Sequence, residues 1–229
     1  MRAALAASLL ALMSAMPAVA GDGADPVVVE LFTSQGCSSC PPADDILGDL
    51  AGRDGVIALS LHVDYWDWIG WEDTFGSAAH SDRQRRYAAA VGSNMIYTPQ
   101  FVIAGTDHVA GAQAMDVADA VMAHKEAARD VLGVTDGRLT LAGIDGPARL
   151  HVAYLMPKAT VAIGRGENAG RAVSYHNIVA DLVDLGEWDG VSGTLDLPPP
   201  REGLARVAFA QAVGPDGFPG PIVGAARID

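Results

Sequence analysis

The sequence predicts an α/β N-terminal unit, a mixed sheet flanked by helices, followed by a β-rich C-terminal unit of sandwich-like character. Three observations predict it. An apolar, β-branched run at Val27–Phe32 leads into Cys37-Ser38-Ser39-Cys40 and a helical stretch, the pattern of a buried strand feeding a helix. Strand-like and helix-like segments then alternate to about Val131. Beyond Leu132 the helical periodicity stops, and short apolar runs recur between Gly, Pro and Asp-Gly turns, as in a small antiparallel sandwich or barrel.

Residues 1–20 read as a cleavable signal peptide. Arg2 gives a positive start, Ala3–Met16 an apolar run, and Ala18-Val19-Ala20 a small-x-small cleavage site, placing the mature start near Gly21. The run breaks at Pro17, short of the roughly 20 apolar residues that a membrane span needs. The expected location is therefore the periplasm or the medium, with no membrane span after cleavage. A formal charge of −13 argues against nucleic acid as a partner, since phosphate is recognised by clustered Lys and Arg.

The first folded unit is expected over 26–131. Val27–Phe32 is a strand with one acid, Glu30, and Gly36 gives the following loop room to turn. Pro41 and Pro42 suit the first turn of a helix, where their missing N–H groups would be unpaired in any case. Asp44 and Asp45 complement the helix dipole, and Ile46, Leu47 and Leu50 supply its apolar stripe. Val56–Val63 is a second strand, closing a strand–helix–strand unit. An insertion over 64–77 holds three of the four tryptophans, including Trp66. It reads either as an aromatic platform for an apolar substrate segment or as a loop that buries its own rings. Ser81–Val91 is the next helix, Tyr97–Ile103 enters a strand through Thr98-Pro99, Gly105 turns a hairpin, and Met115–Val131 is a closing helix.

The cysteine count carries the chemistry. The chain has two cysteines, Cys37 and Cys40. A bridge over two intervening residues closes almost no loop, so its stabilising value is small. Cys-x-x-Cys is also a zinc half-site, but no second Cys pair or His-x-x-x-His accompanies it. At a helix start, free N–H groups and the dipole stabilise a thiolate, so an exposed Cys37 with a lowered pKa is expected. No Gly-rich dinucleotide loop precedes a helix, and neither cofactor nor metal is expected.

The second unit is expected over 134–229, with strands at Arg138–Ala142, Ala148–Met156, Thr160–Gly164, Ala172–Leu185, Gly193–Leu197, Leu204–Val213 and Ile222–Ala226. Asp145-Gly146 and Asp216-Gly217 are hairpin signals. Arg165, Glu167 and Asn168 read either as a turn or as a functional loop facing the first unit.

The order strand, Cys-x-x-Cys helix, strand, helix, Thr-Pro strand, hairpin strand, helix resembles the thioredoxin-like superfamily over about Pro26–Val131. The resemblance rests on Cys37, Cys40, Thr98-Pro99 and the Gly105, Val109, Gly111 hairpin. It implies a cis Pro99 beside the disulfide and Thr98 as a peptide-binding position. It also implies a buried acid under the cysteines. Glu30 is the candidate, although it lies one residue further upstream than the usual acid. Glu30–Asp44, His62–Asp67, Tyr97–Gln100 and Gly164–Asn168 are similar to a family of secreted bacterial proteins described as a domain of unknown function with a thioredoxin-like core. The function expected is exported thiol–disulfide oxidoreductase, with catalytic Cys37, Cys40 and Glu30, substrate-binding Thr98, Pro99 and Trp66, and a protein or small thiol or disulfide as substrate. The alternatives are a Cu(I)-binding protein using the same cysteines with His62 or Met95, and a non-catalytic interaction module.

Overall fold

Val27–Thr33 forms β1, buried at every residue, because helices cover both of its faces. Val29 and Leu31 pack under α1 (Pro41–Ala51) and α3 (Ala114–Ala127). Val28 and Phe32 face the other way, onto Tyr87 of α2 (Ala78–Ala90). The computed structural model describes residues 25–229, so the expected signal peptide lies outside the described residues. None of the described helices is long and apolar enough to cross a membrane.

β1 pairs in parallel with β2 (Val56–His62), in register from Val27↔Val56 to Thr33↔His62. On its other side it pairs antiparallel with β3 (Gln100–Ile103), which turns into β4 (Asp107–Ala110). α2 starts three residues before the expected Ser81, because the Ser77 hydroxyl accepts from Ala79 N at 3.3 Å and caps it there. α3 stops at Ala127, where Ala128 turns to extended backbone. The chain then forms β5 (Leu132–Thr135), a strand absent from the sequence-based expectation.

β5, β6 (Arg138–Leu141) and, further along the chain, β9 (Gly193–Asp196) form a three-stranded sheet. β7 (Ala148–Ala162), β8 (Ala172–Trp188), β10 (Ala205–Val213) and β11 (Pro219–Arg227) belong to the main sheet instead. Its order is β11-β10-β7-β8-β2-β1-β3-β4, and β8 joins β2 in parallel at Ser60↔Ile178. The expected self-contained C-terminal sandwich is corrected accordingly. The edge of β2 would otherwise leave unpaired backbone groups, and β8 covers it, so segments 26–131 and 134–229 share one eight-stranded sheet. Sandwich packing survives locally, with Leu132, Leu139 and Leu141 of the small sheet lying on Leu150, Val152 and Tyr154 of β7. The two strands expected over 148–164 are one, since the β7–β8 ladder resumes at Lys158↔His176 past Pro157. Asp145-Gly146 carries the chain from the small sheet to the main one, whereas Asp216-Gly217 does lie in the β10–β11 hairpin.

Candidate functional site

The site assembles where β1 gives way to α1. Cys37 and Cys40 form a disulfide with a Cα–Cα distance of 5.4 Å. Cys40 is the N-cap of α1, and its carbonyl accepts from Ala43 N at 2.8 Å and Asp44 N at 3.0 Å. Ser38 and Ser39 are exposed, but Cys37 is 1 % exposed and Cys40 fully buried. This corrects the expectation of an exposed Cys37.

The Trp-rich insertion covers one side of the pair. A parallel bridge between Val63 and Ser77 closes it at its base. Trp66 packs so tightly on Gly36 that a Cβ there would meet Trp66 Cβ at 3.2 Å and Ile69 Cδ1 at 3.3 Å. The same Trp66 donates from Nε1 to Thr98 Oγ1 at 2.8 Å, and the Thr98–Pro99 peptide is cis. Trp66 thus ties the residue before Cys37 to the Thr-Pro loop. Trp71 donates to Gln35 Oε1 at 2.8 Å, and Asp73 Oδ2 accepts from Gln35 N at 2.7 Å and lies 2.8 Å from His62 Nδ1. Of the two readings of the insertion, burial of its own rings is seen at Trp66 and Trp71, which are half-buried anchors, whereas Trp68 is 82 % exposed beside them.

The loop between β7 and β8 covers another side. Asn168, 1 % exposed, donates from Nδ2 to Cys37 O at 2.8 Å and to Gln35 O at 3.0 Å. Arg171 donates to Asn168 Oδ1 at 3.1 Å and so fixes which way the amide points. Glu167 Oε2 accepts from Ser38 N at 3.3 Å. Gly164 and Gly166 let the loop pass close to Trp71, where added Cβ atoms would sit at 3.3 and 3.4 Å. Glu167 and Asn168 lie in a turn, as one reading of this stretch has it, and the turn also faces the first segment through those two side chains.

Glu30 is not brought to the cysteines. It projects toward α2, where Arg83 donates to both carboxylate oxygens at 2.5 and 3.0 Å and the Tyr87 hydroxyl donates as well. Gln211 of β10 closes this network through Tyr87 and Arg83. The reason is parity. Side chains alternate along a strand, and Val29 and Leu31, not Glu30, face α1. One residue of displacement along β1 therefore sends the acid to the opposite face of the sheet.

The buried acid on the α1 side is Asp44, 2 % exposed, and neither of its carboxylate oxygens has a hydrogen-bond partner among the described residues. Burial raises its pKa well above the ordinary carboxylate value, and the charges of Asp73 and Asp45 add to the rise. Thr33 Oγ1, Ser60 Oγ and His62 Nε2 are likewise buried without partners. The register pairs Thr33 with His62 and Leu31 with Ser60, so these groups share the sheet face that carries α1. Tyr175 packs edge-on against His62 with ring centroids 4.7 Å apart. His62 is thus a buried partner of Asp73, and Met95 is 69 % exposed. Among the described residues no group of three or more His, Cys, Asp or Glu side chains is arranged to hold a metal ion.

The chain is similar to two proteins of solved structure. A crystal structure of the protein AGR_C_4864 from Agrobacterium tumefaciens is 34 % identical with a TM-score of 0.78, over 90 % of this chain and 95 % of that one. HBP35 of Porphyromonas gingivalis is 14 % identical with a TM-score of 0.54, over 90 % of this chain and 76 % of that one, a likeness of fold alone. No curated protein matches the chain significantly. Residues 28–213 match the model of one family, and the chain belongs to that family, described as protein of unknown function (DUF1223).

Proposed function

We propose that the chain is an exported thiol–disulfide oxidoreductase built on a thioredoxin-like core, with Cys37 as the attacking sulfur and Cys40 as the resolving one. The observation that carries the reading is the disulfide at the start of α1, tied through Gly36 and Trp66 to a cis Thr98–Pro99 loop. The strand order β2-β1-β3-β4, with α1 and α3 on one face and α2 on the other, supports the thioredoxin-like assignment. Export rests on the leader-like residues 1–20.

In the reducing direction the Cys37 thiolate attacks one sulfur of a substrate disulfide. A Cys37–substrate bond forms, the substrate S–S bond breaks, and the departing sulfur takes up a proton. Cys40, deprotonated, then attacks Cys37 Sγ, and the second substrate thiol leaves. Two electrons and two protons pass to the substrate, and the Cys37–Cys40 disulfide is what remains. A dithiol donor returns the pair to the reduced form. Asp44 is the buried carboxyl on the α1 face that suits the Cys40 proton, and it replaces Glu30 in that role. Trp66, Thr98 and Pro99 would line the substrate's approach, with exposed Trp68 beside them.

The test is a trapping experiment. Reduced Cys40→Ser protein, mixed with a peptide disulfide, accumulates a stable Cys37–peptide adduct visible by mass spectrometry, whereas the unsubstituted protein releases free peptide thiol. If neither protein reacts with the peptide disulfide at neutral pH, the reading is overturned and the pair is a static bridge.

A further inference from the structure

A helix N-terminus favours a thiolate through its free N–H groups and its dipole, and here those donors can be counted. Gln35 N donates to Asp73, Gly36 N to Ser34 Oγ, and Cys37 N to Ser34 O at 3.1 Å. Ser38 N donates to Glu167, and Cys40 N to Cys37 O at 3.2 Å. Pro41 and Pro42 have no N–H, and Ala43 and Asp44 donate to Cys40 O. Among the described residues from Gln35 to Asp44, only the Ser39 N–H is left without a partner. Beyond it, the Ser39 hydroxyl lies 3.4 Å from Cys37 Sγ. Cys37 itself is 1 % exposed, so water adds little to the hydration of a thiolate there.

The loop between β7 and β8 contributes directly to this shortage. The Glu167 carboxylate takes the Ser38 N–H next to Cys37, and its negative charge opposes a second one forming on the sulfur. Asn168 holds Cys37 O with an amide that Arg171 orients, which fixes the closed loop conformation. Both effects act on the reduced state, the form in which Cys37 carries charge and the loop needs freedom to separate the two sulfurs. Resting on the oxidoreductase reading above, we propose that Glu167 and Asn168 are positioning residues that disfavour the reduced pair. The Cys37–Cys40 couple is then strongly reducing: once reduced by a partner dithiol, it passes two electrons and two protons to a substrate disulfide and returns to the closed form.

The experiment is a charge series at one exposed position. Wild type, Glu167→Gln and Glu167→Lys are equilibrated with dithiothreitol at fixed ratios of its reduced and oxidised forms, and the reduced fraction is read by thiol alkylation. The ratio of reduced to oxidised protein is expected to rise by about three- to tenfold from Glu to Gln and again from Gln to Lys, less at high salt. Thiolate absorbance of the reduced proteins should show Cys37 titrating at successively lower pH across the series. Asn168→Ala shifts the ratio in the same direction. Wild type is expected to stay oxidised in glutathione buffers that reduce an ordinary exposed disulfide. An unchanged ratio across the series, or a wild-type pair readily reduced by glutathione, would falsify the inference. Because the equilibrium is measured without a protein substrate, it is independent of the trapping experiment. Peptide exchange with a flat charge series sinks this inference alone, and a graded series without exchange sinks the oxidoreductase reading alone.

Discussion

Asn168 Nδ2 lies 2.8 Å from the carbonyl oxygen of Cys37, a hydrogen bond that spans 131 residues of sequence. The β7–β8 loop is thereby part of the disulfide site, and the C-terminal strands hold it there by extending the same sheet. In Asn168→Ala, Cys37 O keeps its bond from Cys40 N, whereas Gln35 O loses the donor that covers it. The expected cost is about 1–3 kcal/mol, the range for an unsatisfied buried polar group, measured by urea unfolding. The rate of disulfide reduction by dithiothreitol should rise severalfold in the same variant.

Glu30 and Arg83 form a buried pair, with side-chain exposures of 0 % and 10 %. Removing one partner leaves an uncompensated charge in the interior, so Arg83→Leu should destabilise by about 3–5 kcal/mol. The double variant Glu30→Met, Arg83→Leu should recover much of that loss. Because the pair lies across the sheet from α1, peptide-disulfide exchange should persist in any of these variants that folds. Denaturation curves and exchange rates on the same samples check both statements.

The sequence makes part of this site plain and hides the rest for physical reasons. The run Val27–Phe32, the Pro41-Pro42 step after Cys40 and the Thr98-Pro99 step are local signals: the first two lie in β1 and in the first turn of α1, and the third stands immediately before β3. The face taken by Glu30 is also a local property, but it turns on a one-residue count, and a single step inverts it. The β5–β6 hairpin had a signal of its own. Asp136-Gly137 makes a two-residue turn, with φ of 52° and 75° between partners Thr135 and Arg138, the Asp-Gly turn that matches strand twist. Nothing local announces the β2–β8 pairing or the reach of Asn168 to Cys37. Both depend on which sheet edges meet, and strand propensity does not encode that.

Asp25 ties three segments together. Its Oδ2 accepts from Val131 N at 3.1 Å, Leu132 N at 3.1 Å and Ala225 N at 3.0 Å. Burial pushes its pKa up to about 6, against the pull of those three N–H groups. Asp25→Ala strands three buried donors and should cost at least about 3 kcal/mol. Asp25→Asn keeps an acceptor oxygen and should cost less. Calorimetric melting temperatures of the two variants at one pH test the ordering.

Asp44 carries the clearest pH signature on the α1 face. Its folded-state pKa is raised by burial and by the neighbouring acids, while in the unfolded chain it ionises near the ordinary value of about 3.9. Above that value the unfolded state gives up the proton first and the folded state holds more protons. Stability from this residue is therefore fully present below about pH 4 and declines as pH rises toward the folded-state pKa. Each unit of separation between the two states is worth about 1.4 kcal/mol. Asp44→Asn removes the titration while keeping a side chain of similar shape. Its urea midpoint should match wild type near pH 4 and exceed it increasingly toward neutral pH. A protein that keeps such a group gives up stability at neutral pH, and the proton of Cys40 is the use proposed for it. The variant should accordingly release peptide from the Cys37 adduct more slowly than wild type while forming that adduct at an unchanged rate. Equal release rates would leave Asp44 a stability liability with no part in the exchange, and a variant midpoint that failed to rise with pH would show the carboxyl to be ionised in the folded protein.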